Sequence, residues 1–158
     1  MTRIARALDG ASVSLQLIFI CGRNLKLRER LQAMPLRYPR YVEGFTSEIP
    51  HYMQLADFFI GKPGPGSISE ALAMKLPVVV VSNAWTLPQE RYNAEWVREK
   101  QVGVVLRSFS GIERGIAELL EAARFARFRE NAAQVRNRAV FEIPEILEKI
   151  LADHSPAQ

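Results

Sequence analysis

A chain of 158 residues with 48% hydrophobic and 24% charged side chains can bury one sizeable core, which excludes a disordered or low-complexity protein. No apolar run approaches the roughly 20 residues that span a bilayer, and residues 1–9 lack the long apolar stretch of a secretory signal, so the cytoplasm is the expected location. The net charge of +4 favours anionic ligands, but one cysteine and two histidines supply neither a disulfide nor a zinc site, and no nucleic-acid motif is present.

Taken in chain order, short β-rich runs alternate with helical patterns. Strands are expected at residues 15–21, 41–45, 57–61, 77–82 and 102–106. Helices are expected between them, at 25–33, 49–55, 67–75 and 89–100. Cys21 ends the first apolar run, which reads as a buried, inert thiol. Beyond the last strand only helical patterns remain, at 112–123, 125–138 and 144–152. Pro144 suits a first helical position, where its missing N–H would be unpaired anyway. Residues 154–158 form a polar tail expected to fray.

Strands and helices in this order predict an α/β fold, a parallel sheet with helices on both faces. Such sheets bind ligands beyond the carboxyl ends of their strands. The loop after the third strand reads Gly61-Lys62-Pro63-Gly64-Pro65-Gly66-Ser67-Ile68-Ser69-Glu70-Ala71-Leu72 and runs straight into a helix. Its glycines allow close approach to the backbone, and the free amides and dipole of a helix start favour an anion such as a diphosphate. The spacing matches neither the triphosphate loop nor the dinucleotide fingerprint. A purely structural alternative makes Ser67 the N-cap and Glu70 its capping-box partner.

The next loop, Ser82-Asn83-Ala84-Trp85-Thr86-Leu87-Pro88-Gln89-Glu90-Arg91-Tyr92-Asn93, sets amide, carboxylate and hydroxyl groups at a second helix start. Sugar hydroxyls need such mixed donors and acceptors. The alternative leaves Gln89, Glu90 and Asn93 facing water.

These segments, together with Ile18-Phe19-Ile20-Cys21-Gly22-Arg23-Asn24, Gly44-Phe45-Thr46 and Arg138-Ala139-Val140-Phe141-Glu142-Ile143, closely resemble the monogalactosyldiacylglycerol synthase family, of the glycosyltransferase family 28 type. A more distant similarity is to the peptidoglycan N-acetylglucosaminyl transferase. The resemblance covers nearly the whole chain in order. It implies the Rossmann-like, donor-binding C-terminal half of a GT-B glycosyltransferase over residues 1–153, using a UDP-hexose, an inverting mechanism and neither metal nor cofactor. By position, the Phe45 and Thr46 backbone would read uracil, and the turn of Gly64, Pro65, Gly66 and Ser67 would cradle the diphosphate. Glu70 would hold ribose hydroxyls, and Gln89 and Glu90 would touch the sugar.

The resemblance also implies a diacylglycerol-like lipid acceptor, held by an N-terminal domain that this chain is expected to lack, and with it peripheral contact with a membrane. Residues 1–8 resemble the first helix of the family's second domain, so the strand that opens that domain is expected to be absent as well. That strand lies mid-sheet, between those at 15–21 and 57–61. Its loss predicts direct re-pairing of these two strands, a strand donated by a partner, or marginal folding. No catalytic base is assigned; His51 is a candidate, but it reads first as a surface or partly buried helical histidine. A non-catalytic module that senses UDP or a nucleotide-sugar is the competing reading.

Overall fold

The computed structural model describes residues 1–137 and 139–153. Arg138 and the tail 154–158, both named in the expectations above, lie outside the described residues. Among the described residues, five strands alternate with helices as far as β5, and three further α-helices follow, eight in all. In order they are α1 (Thr2–Leu8), β1 (Leu17–Ile20), α2 (Leu25–Ala33), β2 (Arg40–Glu43), α3 (Ile49–Gln54), β3 (Phe59–Gly61), α4 (Pro65–Ala73), β4 (Val78–Val81), α5 (Pro88–Glu99), β5 (Gly103–Leu106), α6 (Ile112–Leu119), α7 (Ala122–Gln134) and α8 (Ala139–Asp153). Every predicted strand is present; four are trimmed at one or both ends, and the one expected at 41–45 begins one residue earlier and ends two earlier.

All strand pairs are parallel, as the alternation requires. β1 pairs with β2, and β4 pairs with β3 on one side and β5 on the other. β4 is four consecutive valines, all buried, because helices cover both of its faces. Successive side chains on a strand point to opposite faces. Val79 therefore joins Leu17, Phe19, Leu31, Ile112 and Leu119 on one side. Val78 and Val80 join Met53, Ile68, Leu72 and Val97 on the other. Each valine buried in this way contributes about 1.5 to 3 kcal/mol. The result is an α/β fold with parallel sheets flanked by helices.

The sheet comes in two pieces, β1-β2 and β3-β4-β5, with no ladder between β1 and β3. Direct re-pairing of those strands, one of the expected outcomes, is not what forms. Leu17 and Phe19 of β1, Val79 and Val104 of the other sheet and Ile112, Ile116 and Leu119 of α6 belong to one apolar cluster. Side chains fix the spacing of the two pieces without backbone hydrogen bonds.

Several helix boundaries differ from the sequence expectation. α4 begins at Pro65, two residues before Ser67, with Gly64 as N-cap and no side-chain cap. Proline is preorganised for that first position, so the start moves upstream and the Ser67–Glu70 capping box does not form. α8 runs through Pro144, five residues beyond its own start, so Pro144 is internal and costs that helix one backbone hydrogen bond. α6 stops at Leu119, earlier than expected, and α7 starts at Ala122. Arg124 staples this break, pairing with Glu118 at 2.5 Å and Glu121 at 2.8 Å.

Helix α2 is held at both ends. Asn24 accepts a hydrogen bond from the Leu27 amide at 3.0 Å at its start. At its end the Arg40 guanidinium donates to the carbonyls of Leu31, Gln32 and Met34 at 3.1, 2.9 and 2.6 Å. That anchorage fixes where β2 begins, and so where its exit loop emerges.

Candidate functional site

The exit of β3 is an open corner. Gly64 is extended (φ −68°, ψ 136°), Pro65 takes the first helical position, and no side chain caps the amides that follow. Gly66, Ser67 and Pro65 are exposed, and a Cβ built on Gly66 would meet nothing within 4 Å. Along α4, Ile68, Ala71 and Leu72 are buried, so Gly66 and Glu70, four residues apart, share the solvent-facing side. With no capping box, the Glu70 carboxylate is free to accept hydrogen bonds from a ligand beside the helix start.

Helix α5 is drawn against this corner. Asn93 Nδ2 donates to the Pro63 carbonyl at 2.9 Å, and Glu90 Oε1 lies 4.0 Å from where a Gly64 Cβ would stand. Asn93 therefore does not simply face water, as the bland reading had it. Gln89 sits exposed in the same first turn, after Pro88 at the first helical position. The preceding loop is braced internally. The Asn83 amide donates to Thr86 Oγ1 and the Trp85 amide to Asn83 Oδ1, both at 2.9 Å, while Arg91 Nε donates to the Thr86 carbonyl at 3.2 Å.

The exits of β1 and β2 form a second, separate feature. The ladder continues past the strands: the Cys21 amide donates to the Glu43 carbonyl at 2.9 Å and the Gly22 amide to the Gly44 carbonyl at 3.1 Å. Gly22 holds φ +57°, a conformation that favours glycine. Phe45 is 68% exposed, with the Arg23 guanidinium 4.8 Å above its ring. Thr46, half-buried, accepts from the Glu48 amide through its Oγ1 at 2.9 Å.

Beneath that loop lies Glu43. Its carboxylate accepts hydrogen bonds from the Gly44 amide at 2.7 Å, the Tyr41 hydroxyl at 2.9 Å and the Tyr52 hydroxyl at 3.0 Å, and the Arg28 guanidinium stands 3.9 Å away. The Gly44 amide first, then the two phenols, hold this carboxyl below its ordinary range. Burial pushes the Cys21 thiol up, in keeping with an inert side chain.

The structure thus brings Gly64, Pro65, Gly66, Ser67, Glu70, Gln89 and Glu90 to one corner. Phe45 and Thr46 stand at the carboxyl edge of the other half-sheet. His51 is exposed on α3, edge-on to Tyr52 at 5.9 Å between ring centroids. Sequence reasoning missed Glu43, although Tyr41 and Glu43, two apart on a strand, must project to the same face. It could not have paired Asn93 with Pro63, since no local pattern links residues thirty positions apart. Among the described residues, no cluster of three His, Cys, Asp or Glu is placed to hold a metal ion, and no helix is long and apolar enough to cross a membrane.

An open helix start at the carboxyl edge of a parallel sheet, with Glu70 on the outer face of α4, belongs to an α/β domain with parallel sheets flanked by helices, the class of fold that places ligand-binding loops at that edge. Residues 2–150 match the glycosyltransferase family 28 C-terminal domain, and the chain belongs to that family. It is 31% identical over 144 residues to monogalactosyldiacylglycerol synthase 2, chloroplastic, of Arabidopsis thaliana, a match covering 89% of this chain and 30% of the relative. It is 33% identical over 139 residues to the monogalactosyldiacylglycerol synthase of Spinacia oleracea, covering 86% and 26%. The probable synthase of Glycine max is 33% identical over 149 residues, covering 92% and 28%. The chain therefore spans under a third of the length of these relatives, and the chloroplast location in their names applies to them.

Proposed function

We propose that this glycosyltransferase donor domain binds a UDP-hexose, for transfer of the hexose to a diacylglycerol-like lipid hydroxyl with inversion at the anomeric carbon. The observation that carries the reading is the uncapped start of α4, with Glu70 free on its outer face and Glu90 beside Gly64. The names of the relatives support a galactolipid-forming reaction.

In this reading, the Gly66 and Ser67 amides and the α4 dipole hold the diphosphate. The same amides stabilise charge that grows on the β-phosphate as the sugar leaves. Glu70 accepts hydrogen bonds from two vicinal ribose hydroxyls, a task suited to an ionised carboxylate. Gln89 and Glu90 meet sugar hydroxyls, and the Phe45–Thr46 backbone pairs with the uracil edge. The acceptor oxygen bonds to the anomeric carbon as the bond from that carbon to the β-phosphate oxygen breaks. The acceptor's proton passes to a base that the relatives' longer chains would supply.

Calorimetry of the purified chain with UDP, UDP-galactose and UDP-glucose tests this. Binding should weaken about tenfold in Glu70→Ala, the loss of charge-assisted hydrogen bonds. Affinity unchanged by that substitution, or no binding by the unaltered chain, overturns the proposal.

A further inference from the structure

We propose that Glu43 is a positioning residue that sets nucleobase selectivity, by fixing the loop that carries Phe45 and Thr46. The inference rests on the reading of that loop as the uracil contact. Glu43 is the last residue of β2, and its carboxylate joins three elements: Tyr41 on its own strand, Tyr52 on α3 and Arg28 on α2. Its fourth tie, to the Gly44 amide, reaches the loop itself. Three of the roughly four acceptor sites of the carboxylate are taken by these hydrogen bonds, and the Arg28 guanidinium stands 3.9 Å off, so Glu43 is engaged mainly with its own neighbours.

The loop is consequently held through both backbone groups of one residue. Gly44 gives its amide to Glu43 and its carbonyl to Gly22, with donor–acceptor distances of 2.7 and 3.1 Å. Arg28 packs along the same residue, its NH1 3.5 Å from the place of a Gly44 Cβ. At the far end the Thr46 hydroxyl fixes the Glu48 amide at the start of α3. Between these anchors lie Phe45, exposed, and Thr46, half-buried, on a short segment held at both ends. Discrimination between bases needs backbone donors and acceptors in fixed places, because an analogue is rejected only when a rigid polar group is left unpaired. Phosphate affinity, carried by the other half-sheet, has no such dependence on Glu43.

The test compares UDP, ADP and inorganic pyrophosphate as ligands for the unaltered chain, Glu43→Ala, Glu43→Gln and Tyr52→Phe. In Glu43→Ala the preference for UDP over ADP should shrink about tenfold while pyrophosphate binding stays unchanged. Glu43→Gln can keep its oxygen on the Gly44 amide and donate to a phenol oxygen, so it should recover most of the preference. Tyr52→Phe leaves the Gly44 tie intact and provides a folded variant with a smaller loss. An unchanged UDP-to-ADP ratio in Glu43→Ala and Tyr52→Phe overturns the assignment. UDP binding that is insensitive to Glu70→Ala but loses base preference in Glu43→Ala would sink the reading of Glu70 as the ribose contact alone. Failure of the unaltered chain to prefer UDP sinks both.

Discussion

Asn93 Nδ2 donates to the Pro63 carbonyl at 2.9 Å, joining the second turn of α5 to the loop that opens α4. The bond sets the distance between two helix starts that the fold would otherwise leave to their separate strands. Glu90, one turn earlier on α5, is thereby held near Gly64.

Replacing Asn93 with Ala should therefore loosen sugar contacts more than nucleotide contacts. Affinity for a UDP-hexose is expected to fall about three- to tenfold, from one lost hydrogen bond, with a smaller change for UDP. Parallel titrations with the two ligands check this, and equal losses for both would show that Asn93 merely supports the fold.

Gly103 is required by the backbone of its neighbour. A Cβ there would stand 1.9 Å from the Val78 carbonyl oxygen, inside the β4–β5 pair. Since neither strand can retreat without breaking the ladder, Gly103→Ala should cost at least about 3 kcal/mol. Urea unfolding measures it; a midpoint shift of under about 0.5 kcal/mol would contradict the packing.

Two helices end on non-glycine residues in the left-handed region, Lys75 at φ 61° after α4 and Gln101 at φ 49° after α5. Such a conformation costs a side-chain-bearing residue about 1–2 kcal/mol, partly offset by the entropy glycine loses on folding. Lys75→Gly and Gln101→Gly are each expected to stabilise by up to about 1 kcal/mol and to add when combined. Thermal unfolding of the three variants should show a rise in Tm for each.

Acid should weaken the network under the Phe45 loop. The Glu43 carboxyl is held low in the folded chain, so over the interval between its folded and unfolded values the unfolded chain binds the extra proton. The network's full contribution is present above the unfolded glutamate value of about 4.3 and is lost as pH falls through the lower folded value. Urea midpoints followed from about pH 7 to about pH 3 should fall less steeply in Glu43→Gln. Superimposable curves would show that the carboxylate carries no such linkage.

The strands were readable because β-branched runs such as Val78–Val81 have the length and composition of buried parallel strands, and little else fits them. Their ends shifted by one or two residues because ladder partners, rather than composition, decide where pairing stops. Proline misled twice, in opposite directions. Pro65 starts a helix where Ser67 offered a better-known cap, and Pro144 lies inside one that it was expected to start. Local rules weigh one residue's preference, whereas the helix forms where its apolar face can pack. The corner at Gly64 to Ser67 was legible since every residue it needs is contiguous. Glu43, Arg28, Tyr52 and Asn93 act through partners distant in sequence, and only the folded chain reveals who meets whom.

The missing ladder between β1 and β3 leaves a seam that runs between the Phe45 loop on one plate and the Gly66 corner on the other. Side chains alone bridge it, so the plates can shear slightly where an unbroken sheet could not. A nucleotide bound as proposed, with its base at Phe45 and its diphosphate at Gly66, would straddle the seam and act as a clasp. Its arrival would be felt as stiffness in strands it never touches, with the two plates moving afterwards as one.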